Sequence, residues 1–469
     1  MKQTSQDFKA HVKEALANPN LKTALERTTD LLQSRRTAML DAFPQYNEAR
    51  QAAQKIKDHT LAYLDYYLEE FEKNATASGA KVHWAQTPKE ATYIIVGICT
   101  AHNAKRVTRV KSMLGEEISI GEALAEAGIE RIETDLAEHI IQLAEEPPSH
   151  IVMPALHKTR EEVAELFRAR HREAMTHENV AALVESARRE LRPKYMTADV
   201  GISGANFIIA ETGSVVTVTN EGNAELCTTP PPVHIVNVGI EKLVPTMEHC
   251  TVFIRLLARA ALGAEITQYT TFHNGPKRAS DKDGPNEMHI VLVDNRRTEM
   301  LDSFLRPMLR CIRCGACMNH CPVYRAVGCH AYGYVYPGPM GAILTPAMTS
   351  LEKSGDLPNA CTLNGRCQEV CPVNIPLPDL MRRLREQQWR TKLTTRPYRF
   401  TLGVWAWFAK RPSLYRIASR AAVRVMELLA GRRGRFASLL GASAWTRHRD
   451  LTAPQAGTFM DQYKQGRRR

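Results

Sequence analysis

No stretch of this 469-residue chain is long and apolar enough to span a bilayer. The closest, TLGVWAWFAK at 401–410, has about half the length a spanning helix needs. The N-terminus, MKQTSQDFKAHVKEALANPN, is polar and lacks the apolar core of an export signal, so none is expected. No G-x-G-x-x-G, P-loop or nucleophile-elbow motif appears, which leaves dinucleotide binding, phosphate transfer and serine hydrolysis without sequence support. Acidic residues are scarce at one end: from Met381 to Arg469, 21 Lys/Arg stand against 4 Asp/Glu. The formal net charge of +12 therefore hides a mildly acidic body with a basic tail, and the asymmetry points to a partner for the tail. Cysteine is sparse too over most of the chain. Of 11 cysteines only Cys99, Cys227 and Cys250 lie outside 311–371, a distribution that argues against a disulfide framework and for metal ligation in a reducing, cytoplasmic setting.

The clustered cysteines have a recognisable spacing. Cys311, Cys314, Cys317 and Cys321, followed by Pro322, read C-x2-C-x2-C-x3-C-P. In two-cluster ferredoxins the first three thiolates of such a run hold one iron–sulfur cluster and the fourth ligates the other. A partner run is present: Cys361, Cys367 and Cys371, followed by Pro372. By that logic Cys311, Cys314, Cys317 and Cys371 bind a first cluster, and Cys321, Cys361 and Cys367 a second. Full spacing would put a cysteine at position 364, where the chain has Asn364. Three readings stay open: Cys329 supplies the fourth ligand, the second cluster is [3Fe–4S], or its fourth iron takes Asn364 or solvent. Cys329 also reads as a small buried residue. Structural zinc, with its four ligands in two pairs, fits this spacing less well than cubane clusters.

Along the chain, residues 1–79 read as helix, 80–300 as an α/β domain, 301–385 as the cysteine module and 386–469 as a basic C-terminal region. Candidate strands are ATYIIVGI (91–98), SHIVMPAL (149–156), ANFIIAE (205–211), SVVTVTN (214–220), VHIVNVGI (233–240) and HIVLVDN (289–295). Helical patterns such as REEVAELFRARHREAM (160–175) lie between them, so the sheet should be largely parallel.

Two loops of this domain are candidate ligand contacts. Gly201, Ser203, Gly204 and Asn206 precede one apolar run, and Glu211, Thr212, Gly213 and Ser214 join two. Glycine admits close backbone approach, and the polar residues offer hydrogen bonds. The same residues make ordinary turns, and ETGS between two strands is a hairpin signal. Glu211 could also act as a nucleophile of the CoA-transferase kind. Residues Thr219 to Asn223 read as a strand end and turn. Lys111, Ser112 and His234 could meet an anionic ligand, or be a surface lysine, a helix cap and a core histidine.

The segments RVKSMLGEEISI (109–120), DLAEHIIQLAEEPPSHIVMPALHK (135–158), GISGANFIIAETGSVVTVTNEGNAELCTTPPPVHIVNVGIEKLVP (201–245) and DGPNEMHIVLVDNRR (283–297), with CIRCGACMNHCPVYR and the CQEVCPVNIPL run, resemble the lactate-utilisation iron–sulfur protein family. The resemblance runs over nearly the whole chain, up to APQAGTFMDQY. It implies a LUD domain of the sugar-isomerase and CoA-transferase type, then a mostly helical bacterial-ferredoxin-type [4Fe–4S] module and a basic helical C-terminal region. It also implies an electron-carrying, non-catalytic subunit of an L-lactate-oxidising complex, whose partner subunits turn lactate into pyruvate. Family members usually show Ser-Leu-Cys where this chain has Cys361, Thr362, Leu363 and Asn364. An alternative of another class is a LUD-domain catalyst or ligand sensor with structural or redox-sensing clusters.

Four of five tryptophans, Trp389, Trp405, Trp407 and Trp445, lie in the basic tail. Aromatic anchors with a cationic rim suit a partner subunit or an anionic membrane surface, and self-packing is the plain alternative. Nucleic acid is not expected.

Overall fold

The computed structural model describes residues 3–172, 179–439, 446, 449–454 and 457–466; residues 173–175 of the REEVAELFRARHREAM pattern and Trp445 lie outside them. Two compact units are present, Met1–Gln387 and Gln388–Arg469.

The first unit begins with four helices, Phe8–Ala17, Pro19–Asp41, Tyr46–Ala62 and Leu64–Ala77. Ten strands follow among the described residues of this unit: β1 Lys81–Ala85, β2 Arg106–Arg109, β3 Glu130–Glu133, β4 Val200–Gly204, β5 Phe207–Ile209, β6 Ser214–Thr219, β7 Val233–Gly239, β8 Leu243–Val244, β9 Tyr269–His273 and β10 Glu287–Val293. Six of them form a wholly parallel sheet in the order β1-β10-β7-β4-β2-β3. The other four form a smaller sheet, β8-β5-β6-β9, with β5, β6 and β9 antiparallel.

Two expected strands are not strands. Residues 91–98 lie inside the helix Pro88–Ala101. Its start is fixed locally: the Thr87 hydroxyl accepts the Glu90 N–H (3.2 Å), the Glu90 carboxylate accepts the Gln86 N–H (2.7 Å), and Pro88 needs no partner at the first turn. Ala91, Ile95, Ile98 and Cys99 then face the core at helical spacing, while Tyr93 is 82% exposed. Residues 149–156 form a turn instead. The buried His150 ring accepts the N–H groups of both Val152 and Met153 through Nδ1 (3.0 and 3.1 Å), and Ser149 closes on the Pro154 carbonyl (2.7 Å).

Two strands are too charged to show an apolar pattern. In β2 and β3 the residues Arg106 and Glu130, and Arg109 and Glu133, sit directly opposite each other. Both pairs are bonded, at 2.9 and 3.0 Å, so the cross-strand contact is ionic where a hydrophobic one would be expected.

The cysteine module spans short elements from the turn Arg306–Arg310 to the helix Leu377–Arg390. It shares one buried core with the rest of the unit. Leu25, Phe43 and Leu61 from the N-terminal helices, Phe207 and Phe253 from the α/β part, and Met308, Tyr324 and Ile343 from the module belong to a single cluster. The module is thus built into the α/β domain.

The second unit carries the helices Arg396–Ala409 and Pro412–Ala430. Phe400, Trp405, Trp407, Ile417, Leu428 and Leu429 on them are exposed, and Arg411 stacks its guanidinium on Trp407 at 4.2 Å. No helix among the described residues is long and apolar enough to cross a membrane.

Candidate iron–sulfur centre and adjoining cavity

The two cysteine runs fold as a structural repeat. In the first, Cys311 is followed by Arg313 and Gly315 in left-handed conformations (φ +58° and +75°), and a short helix Ala316–Asn319 carries Cys317. Fifty positions on, Cys361 is followed by Leu363 and Gly365 (φ +57° and +84°), and the helix Arg366–Glu369 carries Cys367. A non-glycine residue at positive φ is uncommon, so the same turn at the same offset in both loops marks a shared backbone design. Each run ends on a cysteine followed by proline, Cys321-Pro322 and Cys371-Pro372.

The turns aim backbone donors at the sulfurs. The Arg313 N–H points at Cys311 Sγ (3.5 Å), Leu363 N–H at Cys361 (3.2 Å), Tyr324 N–H at Cys321 (3.5 Å) and Ile375 N–H at Cys371 (3.4 Å). Such bonds stabilise negative sulfur and tune cluster potential. The N-terminal helices brace the second run: Arg50 donates to the Cys371 carbonyl (2.9 Å) and Arg36 to that of Val370 (3.2 Å).

Electrostatics sort the sulfurs into two sets. Burial pushes the Cys314 thiol up to about 12, and Cys371 and Cys311 add to it. Cys317 is raised further, first by burial and then by Cys314, Cys311 and Cys371. Cys367 is pushed up to about 12 by burial and then by Cys361 and Cys321. The sets are Cys311, Cys314, Cys317 and Cys371, and Cys321, Cys361 and Cys367; the influence of Cys367 on Cys317 links them. The four members of the first set line a single small cavity whose other walls are apolar, among them Met308, Met340 and Ile375. Thiols so placed cannot ionise together without a cation between them, and thiolate–metal bonds supply one. The donor set and its setting fit iron–sulfur clusters.

Cys329 is buried, and its thiol is raised to about 12 by burial alone, with no cysteine acting on it. Asn364 takes the place in the second loop that Cys314 holds in the first. It is exposed, and its side-chain oxygen accepts the Arg366 N–H at 3.2 Å.

The α/β loop candidates divide. Gly204 ends β4, where an added Cβ would fall 2.7 Å from Ser112 Oγ, and Asn206 accepts the Val218 N–H (2.9 Å). Both line a cavity of about 1210 Å³ together with Lys111 and Ser112. Glu211, Thr212 and Gly213 form the β5–β6 hairpin turn and are absent from its lining. Glu211 caps the helix Met247–Leu262 through the Met247 N–H (2.9 Å), and Gly213 packs so closely on the helix Leu64–Ala77 that a Cβ would lie 2.2 Å from Ala75 N. His234 is buried against Ser203 (2.8 Å), and burial holds its imidazole well below the usual histidine range. Gly201 and Ser203 lie within β4 and not in a loop, and Gly201 is required by the Cys227 carbonyl, 1.7 Å from where a Cβ would stand.

The large cavity opens at the carboxyl ends of β2, β4 and β7, the usual ligand position in parallel sheets. Its wall includes residues not singled out from sequence, Asn237, Glu241, Lys242, Arg297, Tyr336 and Arg313, together with Cys314 of the cysteine loop. Glu241 lies between Arg297, bonded through Nε, and Arg313 (3.4 Å). Burial works to raise the Glu241 carboxyl, but the two guanidinium groups outweigh it and hold it down to about 2. Arg297 also pairs with Glu117 (2.8 Å), which accepts the Tyr336 hydroxyl (2.6 Å), and Arg313 stacks on the Tyr336 ring at 4.7 Å. The position of Lys242, just beyond the end of β7, was the available sequence signal. Arg313 was hidden between Cys311 and Cys314.

A parallel α/β domain fused to paired ferredoxin-type cysteine loops defines an iron–sulfur protein with a built-in α/β module. Residues 68–293 match the LUD domain and residues 307–375 the 4Fe-4S dicluster domain. The chain is 40% identical over 469 residues to lactate utilization protein B of Lysinibacillus sphaericus, covering 99% of this chain and 98% of that one. Lactate utilization protein B of Bacillus licheniformis is 40% identical over 476 residues, with 100% and 98% covered. An uncharacterized electron transport protein, YkgF, of Escherichia coli is 38% identical over 467 residues, with 99% and 98% covered. The chain belongs to the lactate utilization protein B family.

Proposed function

We propose that this chain is an electron-relay subunit of a cytoplasmic L-lactate-oxidising system, in which a partner oxidises lactate to pyruvate. The observation that carries the reading is the repeated cysteine loop, whose seven sulfurs fall into two sets on one buried core. Family relatives named for lactate utilisation and for electron transport supply the substrate and the role.

In this reading Cys311, Cys314, Cys317 and Cys371 hold a first [4Fe–4S] cluster. Cys321, Cys361 and Cys367 hold a second, whose fourth position is left to Asn364 or solvent. The solitary burial of Cys329 argues against its use as a ligand. Bound clusters of this type supply reversible one-electron transfer. The chain's own residues supply N–H donors to the sulfurs, an apolar wall that excludes water, and cationic side chains that offset negative charge. The exposed aromatic and basic face of the second unit docks a partner subunit.

The test is growth on L-lactate of a host strain carrying Cys314→Ser in place of the native gene. Loss of lactate-dependent growth, with growth on other carbon sources retained, supports the reading; wild-type growth on lactate contradicts it.

A further inference from the structure

We infer that the cavity at the β2, β4 and β7 ends is a binding site for an organic anion of cofactor size, seated against the Cys314 wall. The acidic head is a phosphate or carboxylate, and the body is largely apolar. The inference goes beyond the relay reading and does not depend on it.

Size is the first argument. The cavity measures about 1210 Å³, at or above the roughly 300–1,000 Å³ typical of small-molecule sites, and far more than a three-carbon acid fills. One wall, from Leu31, Leu32, Ile151, Leu257 and Leu262, is apolar.

Unspent donors are the second. Asn237 is 1% exposed, and its Oδ1 accepts from Ser112 (2.8 Å), yet its Nδ2 has no partner. Arg313 Nη1 and the Thr219 hydroxyl are likewise buried without partners, and all three residues line the cavity. A buried donor left unmade is costly, so several around one cavity mark a place where acceptors are brought from outside.

Charge is the third. Lys111 and Lys242 both line the cavity; Lys111 faces the carboxylates of Asp135, Glu138 and Glu221, whereas Lys242 makes no hydrogen bond or ion pair among the described residues. At the Cys314 end the cations Lys242, Arg297 and Arg313 face Glu241 and Glu117, and both carboxylates are engaged by the arginines. A cationic surplus that also has free donors fits an acidic head group. The competing explanation is that these cations answer only to the negative charge of the neighbouring thiolates.

The experiment is anaerobic equilibrium dialysis of the full-length, cluster-loaded protein against two probes, flavin mononucleotide with a phosphate head and 2-naphthoate with a carboxylate head. L-Lactate and inorganic phosphate serve as small controls. Saturable binding of either large probe is expected, with the tighter one identifying the head group. Lys242→Ala should weaken it about tenfold and Lys242→Arg restore most of it. Lys111→Ala tests the other end of the cavity, and is decisive if the Lys242 variant does not fold. Bound probe should also change the EPR line shape of the cluster beside Cys314. The inference is overturned if neither large probe binds, if the small controls bind as well, or if removing the lysines leaves binding unchanged.

Discussion

Arg313, two residues after the first cysteine of the module, holds Glu241 at 3.4 Å, two residues beyond the end of β7. This contact ties the loop that presents three sulfurs to the strand end that forms the cavity floor. It places the cysteine loop and the α/β cavity in one electrostatic unit, with Arg297 and Glu117 behind it.

Removing one side of that buried pair should therefore do more than loosen a surface contact. Glu241→Gln leaves the buried Arg297 and the partly buried Arg313 without their shared carboxylate, at a cost of about 3–5 kcal/mol. Urea denaturation of the cluster-loaded protein measures it. A midpoint equal to wild type would show that the pair contributes nothing.

The ligand sets predict separable losses of iron. Cys314→Ser should remove the first cluster and about half the bound iron while the second persists. Cys361→Ser should do the reverse. The crossing is tested by Cys371→Ser, which lies in the second run but should behave as Cys314→Ser does. Iron and sulfide analysis with EPR reads all three, and a Cys371→Ser protein that resembles Cys361→Ser would show that the runs do not cross.

Asn364 stands at the repeat position of Cys314, so Asn364→Cys should restore a four-thiolate site. The expected result is higher iron retention by the second cluster under mild oxidation, with loss of any [3Fe–4S] signal. An unchanged EPR spectrum and iron content would place the fourth ligand elsewhere, with Cys329→Ala as the next variant to measure.

His139 predicts acid sensitivity in the helical part of the α/β domain. Burial, aided by the charge of His171, holds its imidazole down to about 4. Below an unfolded value of about 6.5, the unfolded chain takes up a proton that the folded chain refuses. The stabilisation is thus complete above about 6.5 and is lost as pH falls toward 4, by about 2 kcal/mol between pH 7 and 5. The urea midpoint of His139→Gln should fall less over this interval than that of wild type. Parallel falls would remove His139 as a cause.

Sequence exposed the site better than the sheet. The cysteine runs are legible because ligand spacing and the trailing prolines are local properties. The helix Pro88–Ala101 was misread because ATYIIVGI is a short β-branched run, and the deciding information lay just upstream in the Thr87, Pro88 and Glu90 cap. Strands β2 and β3 were missed because they carry charged pairs, the buried Arg109–Glu133 and the partly exposed Arg106–Glu130, that satisfy one another only across the sheet. Gly204 read as a loop residue ahead of a strand, but it is the last residue of β4, and Asn206 follows it. Lys242 and Arg313 meet at one cavity only through the tertiary fold, which no local pattern reports.

The most direct test is anaerobic EPR on the protein mixed with extract of its own host, before and after L-lactate is added. Two reduced-cluster spin systems that appear on lactate addition, and vanish for the first cluster in Cys314→Ser, are expected of a lactate-fed relay. Clusters that dithionite reduces but lactate leaves untouched would contradict that role.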